Sequence, residues 1–221
     1  MTLRSVLLLS AAGLFLLPTR SGAQTLEDYD YENLTFAGIG ADAGYVWPNK
    51  VEGAPAFNVR VDLGFLGPGV RIVPMIGFWT SSVKRSELVR LAAQLSDLPV
   101  LRNRGIVISA DSLGEIDWSD LTFGVDAHYV WETAFGVDTY LGGGLAVHAL
   151  NGSGEVIEGT FVEDLLDTIT AGASAVGGVE LGVTRWLRFF GEARYTITPD
   201  LRYPSLSFGG SFVLPPVRGA P

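Results

Sequence analysis

Two histidines, His128 and His148, are the side chains best suited to acid–base chemistry near neutral pH. Either would need a nucleophile within hydrogen-bond reach, which the sequence does not suggest. Pairing with a carboxylate is the simpler role for both. Metal binding is also disfavoured, because the histidines and carboxylates are scattered over different stretches without the local spacing that fixes a site. Gly142, Gly143 and Gly144 do not make a phosphate loop, since no helix N-terminus follows them; they suit crowded strands better. With 0 cysteines there is no disulfide framework. The expectation is therefore a protein with no cofactor, no metal and no catalytic residues.

The polar residues fall instead at alternate positions of long extended stretches. Between Ser119 and Asn151, Leu121, Phe123, Val125, Ala127, Tyr129 and Trp131 share one face, and Thr122, Gly124, Asp126, His128 and Val130 the other. This is the period-two pattern of a strand between two different solvents. After Glu132, Thr133 and Ala134 the pattern resumes, with Val137, Thr139, Leu141, Leu145 and Val147 against Asp138, Tyr140, Gly142, Gly144 and His148. Each arm reaches the roughly nine to eleven residues that a tilted strand needs to cross a bilayer. The stretch is expected to form one hairpin of a transmembrane barrel.

The start of the chain points to export. Arg4, the apolar run Val6 to Leu17 and the small residues Ser21, Gly22 and Ala23 have the layout of a signal peptide cleaved after Ala23. No later stretch approaches eighteen uninterrupted apolar residues, so a helical span is excluded. A net charge of −9 argues against nucleic acid as a partner, because affinity for phosphate backbones rests on Lys and Arg.

Taken in order, residues 24–33 are an acidic segment, residues 34–214 the barrel and residues 215–221 a tail. The first strand runs from Leu34 to Trp47, with Ala37, Ile39, Ala41, Ala43 and Tyr45 outward and Phe36, Gly38, Gly40, Asp42 and Gly44 inward. Phe57, Val59, Val61, Leu63 and Phe65 alternate with Asn58, Arg60, Asp62 and Gly64 in the second. A tight reversal at Pro68 and Gly69 should set Phe65 opposite Ile72. Pro74 removes a ladder donor, so a bulge or break is expected there. Residues 81–117 are a long insertion with an amphipathic helix over Ser86 to Leu98, read as a solvated lid over the barrel mouth. A second insertion carries a helix-like piece from Val162 to Ile169. Glu180 faces inward on strand six. On strand seven Leu187, Phe189, Ala193 and Tyr195 face outward against Arg188, Phe190, Glu192 and Arg194. Leu206, Phe208, Phe212 and Leu214 mark strand eight.

The fold class expected is all-β, an eight-stranded antiparallel up-and-down transmembrane β-barrel with two helix-containing extracellular loops. Short connections alternate with long ones, as periplasmic turns do with extracellular loops. Trp47, Trp79, Trp118, Trp131 and Trp186 all fall at strand ends and are assigned to an aromatic belt. These features, together with the segment GVELGVTRWLRFFGEARYTI, resemble the small outer-membrane β-barrel family of OmpA-type and OmpX-type domains. The resemblance implies an outer-membrane location, contact with membrane lipids and a monomeric, non-enzymatic barrel that serves envelope structure or surface interaction. Any surface ligand would meet the 81–117 loop. One alternative is a lipid-modifying enzyme; the lipid A deacylases pair a His with a Ser two residues on, whereas Val130 and Leu150 stand there. Another is a lipocalin-like binder, which needs an apolar interior and polar exterior, the reverse of this pattern.

The interior is expected to be a packed polar plug built from Asp42, Arg60, Asp62, Arg71, Asp126, His128, Asp138, His148, Glu180, Arg188, Glu192 and Arg194. A three-residue turn after Trp131 would set His128 opposite Asp138.

Overall fold

The computed structural model describes residues 28–105, 107–133, 136–160 and 166–214, with the side chain of Leu101 excepted. The expected signal peptide and the 215–221 tail lie outside the described residues. The wall consists of β1 (Gly38–Val46), β2 (Ala54–Asp62), β3 (Phe65–Gly67), β4 (Val70–Ser82), β5 (Asp117–Glu132), β6 (Asp138–Ser153), β7 (Thr168–Gly182), β8 (Leu187–Ile197) and β9 (Arg202–Val213). Neighbours pair antiparallel in chain order, and β1 pairs with both β2 and β9, which closes the sheet. Both β2 and β3 pair with β4 and are two pieces of one wall strand, so the barrel has eight strands. Closure leaves no free edge to protect.

Short connections at one end, around Pro68, residues 133–137 and residues 183–186, define a turn end. The opposite end carries residues 47–53, 83–116, 154–167 and 198–201 and is the long-loop end. Residues 83–116 hold α1 (Arg85–Ser96), α2 (Pro99–Arg102) and α3 (Ala110–Leu113). A 3₁₀ turn, Tyr31–Asn33, precedes the barrel and crosses its turn end, where Asp30 N–H and Asn33 Nδ2 both donate to Leu66 O at 3.0 and 3.1 Å.

Period two decides which side chains face the bore. Mid-strand, Val125 lies between Pro74 and Leu145 and points outward, half exposed, as do Phe57, Phe123 and Phe208. Such a continuous apolar band is far larger than the patches that monomers tolerate in water. Asp126, one residue on, is 3 % exposed and faces the bore.

Towards the long-loop end the two faces exchange character. On the outward face Phe78 gives way to Thr80, Leu121 to Ser119, Ala149 to Asn151 and Leu206 to Arg202. On the inward face the same strands turn apolar, and Val46, Val51, Ala54, Ala56, Trp79, Trp118, Leu150, Leu201 and Tyr203 form a buried cluster. The middle of the barrel is polar inside and apolar outside. Its long-loop end is built like a water-soluble protein.

Several expectations need correction. The first strand starts at Gly38, and Phe36 is exposed ahead of it. Wall strand two is interrupted at Leu63 and Gly64, where Gly64 takes φ 73°, and the shifted register sets Phe65 opposite Arg71, not Ile72. Pro74 explains the interruption. Ile72 exchanges hydrogen bonds with Leu63 and Gly64, so Pro74, two residues on, faces the same neighbour without an N–H, and the β2–β4 ladder stops at Met75. The β4–β5 ladder runs through Pro74 unbroken. The turn after Glu132 spans residues 133–137, with Gly136 at φ 69°, so His128 pairs with Gly142, and Asp138 sits opposite Glu132. Of the helix expected over Val162 to Ile169, residues 162–165 lie outside the described residues, and Thr168 and Ile169 belong to β7.

Candidate functional site

The charged residues of the bore form three tiers. Nearest the turn end, Arg71 of β4 makes a two-pronged contact with Glu180 of β7, with Nη1 to Oε2 at 2.8 Å. Asp62 lies 3.8 Å from Arg71, and Arg188 lies 3.7 Å from Glu180. Asp138, paired in register with Glu180, stands at this end without an ion pair among the described residues.

The middle tier is a chain of alternating charge that crosses the bore. Arg60 of β2 reaches Asp42 of β1 and Glu192 of β8, both at 2.8 Å. Glu192 is held in turn by Arg194 at 2.9 Å and by the Tyr140 hydroxyl at 2.8 Å, and Arg194 forks onto Asp126 of β5. Asn58 adds a donor to Asp42 at 2.6 Å and Ser174 receives one from Arg194 at 3.0 Å. Every carboxylate here meets at least one guanidinium, as buried charges require. The guanidinium of Arg60 also covers the Phe190 ring at 4.0 Å, a cation–π contact. His128 is fully buried between these tiers, stacked on Tyr140 with centroids 4.5 Å apart, and its Nε2 is 3.7 Å from Asp126. Tyr140 fits because Gly178 leaves its ring space, and Gly144 does the same for the Asp126 carboxylate.

The third tier is small and holds no arginine or lysine among the described residues. His148 Nδ1 lies 2.9 Å from Asp120 and 3.1 Å from the Thr122 hydroxyl, and the Tyr203 hydroxyl donates to Asp120 at 3.2 Å. Both the acid and the hydroxyl approach the same ring nitrogen. No nucleophile stands on Nε2 among the described residues, so the group lacks the geometry of a relay. Between this tier and the middle one lies a cavity of about 50 Å³, lined by Asn58, Asp126, His148, Arg194 and others. It has room for a few water molecules.

Of the twelve bore residues expected from sequence, all but Asp138 fall into these tiers. Asp120, Tyr140 and Tyr203 were missed as partners. Asp120 shares its parity with Thr122 and Asp126, which was signal enough. The tryptophans divide. Trp47 and Trp186 are exposed, and Trp131 is half-buried beside Tyr129 with rings 6.0 Å apart; Trp186 stacks on Phe212 at 5.7 Å. Trp79 and Trp118 do not belong to a belt: they are 3 % and 6 % exposed and fill the apolar cluster inside the long-loop end. Their parity, shared with Arg71 and Asp126, points them inward.

Above that cluster sits a lid. Leu88, Ala92 and Leu95 of α1 pack on Leu113, Ile116 and Ile157, a second apolar core that joins residues 83–116 to residues 154–167. Lys84 clamps the lid to the first long loop through Pro48 O and Asn49 O at 2.8 and 3.2 Å. The helix begins at Arg85 and ends at Ser96, close to the Ser86 to Leu98 expected.

Among solved structures the chain is similar to Neisserial surface protein A, with a TM-score of 0.52, 17% identity, and coverage of 80% of this chain and 96% of that one. The architecture is that of a small outer-membrane β-barrel. The N-terminal β-barrel domain of Pseudomonas aeruginosa OprF matches at a TM-score of 0.45 and 12% identity, over 81% of this chain and 98% of the other. Ail of Yersinia pestis, solved with the heparin analogue sucrose octasulfate, matches at 0.45 and 11% identity over 80% and 97%. No protein-family model matches the chain, and no curated protein matches its sequence.

Proposed function

We propose that this protein is a non-enzymatic outer-membrane barrel with a sealed polar bore, and that its long-loop end faces the outside and carries surface interaction or envelope structure. The observation that supports the sealed bore is the middle tier. Five charged side chains from four strands lie in one alternating chain across a barrel whose bore side chains can fill. An ion in transit would have to displace these pairs. The apolar cluster of Trp79, Trp118 and Tyr203 adds a second barrier above them.

The surface role is supported by the lid. Its own apolar core and its clamp to the first loop make it a shaped surface, whereas a barrel serving only as an anchor needs no such construction. The even strand number puts both barrel ends of the chain on the turn side, which an exported chain leaves in the periplasm. Membrane fractionation with protease added to intact cells tests the orientation. Cleavage should fall within residues 83–116 and spare the turns at Pro68 and Arg185. Cleavage at those turns alone would invert the assignment.

A further inference from the structure

Beneath the outer flank of α1 there is a cavity of about 130 Å³, separate from the bore, with Leu91, Ile116, Trp118 and Leu166 as its apolar walls. An apolar void of roughly 150 Å³ accepts a benzene ring, so this one suits a single ring or a short alkyl chain. Its rim carries Lys50, Arg90, Glu87 and Gln94, one cation in excess of the carboxylate. Arg90 is held by Glu87 at 2.9 Å, but Lys50 makes no ion pair among the described residues, and its ammonium stands over the Trp118 ring at 5.9 Å.

The positions of these groups are fixed from both sides. The Lys50 carbonyl accepts from Lys84 N–H at 3.0 Å, and Val51 bridges to Val83, so the backbone bearing the cation is tied to the base of the lid. Trp118 Nε1 donates to Leu166 O at 3.2 Å, so two of the lining residues hold each other in place. A half-open pocket with apolar walls and, among the described residues, one ammonium without an ion pair at its mouth favours a ligand with an apolar body and a single negative charge, since the body gains burial and the charge gains its partner.

We propose that this lid pocket is a binding site for a small apolar monocarboxylate, with the carboxylate at Lys50 and the ring or alkyl body against Leu91, Ile116 and Trp118. The proposal deepens the surface-interaction reading and rests on it; the sealed bore is independent and is tested by conductance.

Benzoate, benzyl alcohol and acetate separate the contributions of body and charge. With the full-length protein in phosphatidylcholine nanodiscs and empty nanodiscs as the control, titration followed by tryptophan fluorescence and saturation-transfer NMR should rank benzoate first. Benzyl alcohol and acetate should each bind roughly tenfold more weakly or worse. Lys50→Gln should bring benzoate down to the level of benzyl alcohol, and Leu91→Trp, which fills the cavity, should abolish both. Unboiled gel mobility confirms that each variant is folded. Equal binding of benzoate and benzyl alcohol, or benzoate binding unchanged by either variant, would overturn the proposal.

Discussion

The middle of the barrel and its long-loop end solve opposite problems with the same strands. Around Val125 and Asp126 the exterior is apolar and the bore holds charge; around Trp118 and Ser119, on the same strand, the bore is apolar and the exterior polar. The side-chain parity never changes. What changes is the solvent outside, and with it the side on which hydrophobic burial is gained. The exchange between Leu121 and Ser119, and between Phe78 and Thr80, marks where the wall leaves the apolar phase. Tyr45 and Trp47, whose rings are 5.1 Å apart, sit near that level. Above it, β5 and β6 continue to Asp117 and Ser153 as the base on which the lid is built.

The contrast is most easily broken at the middle tier. Arg60→Met keeps the bulk but leaves Asp42 and Glu192 with one cation fewer, and should cost about 3–5 kcal/mol, read as the shift in urea unfolding in lipid vesicles. The same kind of truncation in the apolar cluster removes no charge partner. Val125→Arg puts a charge on the outward face at mid-depth and should cost about 2–4 kcal/mol. Lys84→Met removes the clamp onto Pro48 and Asn49 and should loosen the lid by about 1 kcal/mol, seen as faster hydrogen exchange over α1 with the barrel unaffected. Ser119→Arg is the sharpest control. It lies on the same strand and face as Val125, beyond the exchange level, and should change stability by less than about 0.5 kcal/mol. A cost at Ser119 equal to that at Val125 would move the boundary outward and remove the distinction between the two regions.

Strand parity was legible residue by residue, and so was the barrel. The run Arg188, Phe190, Glu192, Arg194 needs only a period of two to be placed inward. The partnerships were not legible, because they are not local. Arg60 meets Glu192 and Arg71 meets Glu180 across the bore, between strands that never pair, and such contacts depend on how the closed sheet tilts and shears. Register failed for a related reason. The turn after Glu132 is longer than the three residues assigned to it, and that displaced His128 from Asp138 to Gly142. The tryptophans show a weaker cue overriding a stronger one: position at a strand end suggested a belt, while parity already turned Trp79 and Trp118 inward.

The sealed bore is the claim on which the separation of barrel from lid depends. Planar-bilayer recording on the purified monomer tests it directly. The ion-paired middle tier predicts a bilayer that stays silent at sustained applied voltage, whereas steady, reproducible conductance steps from single monomers would contradict it.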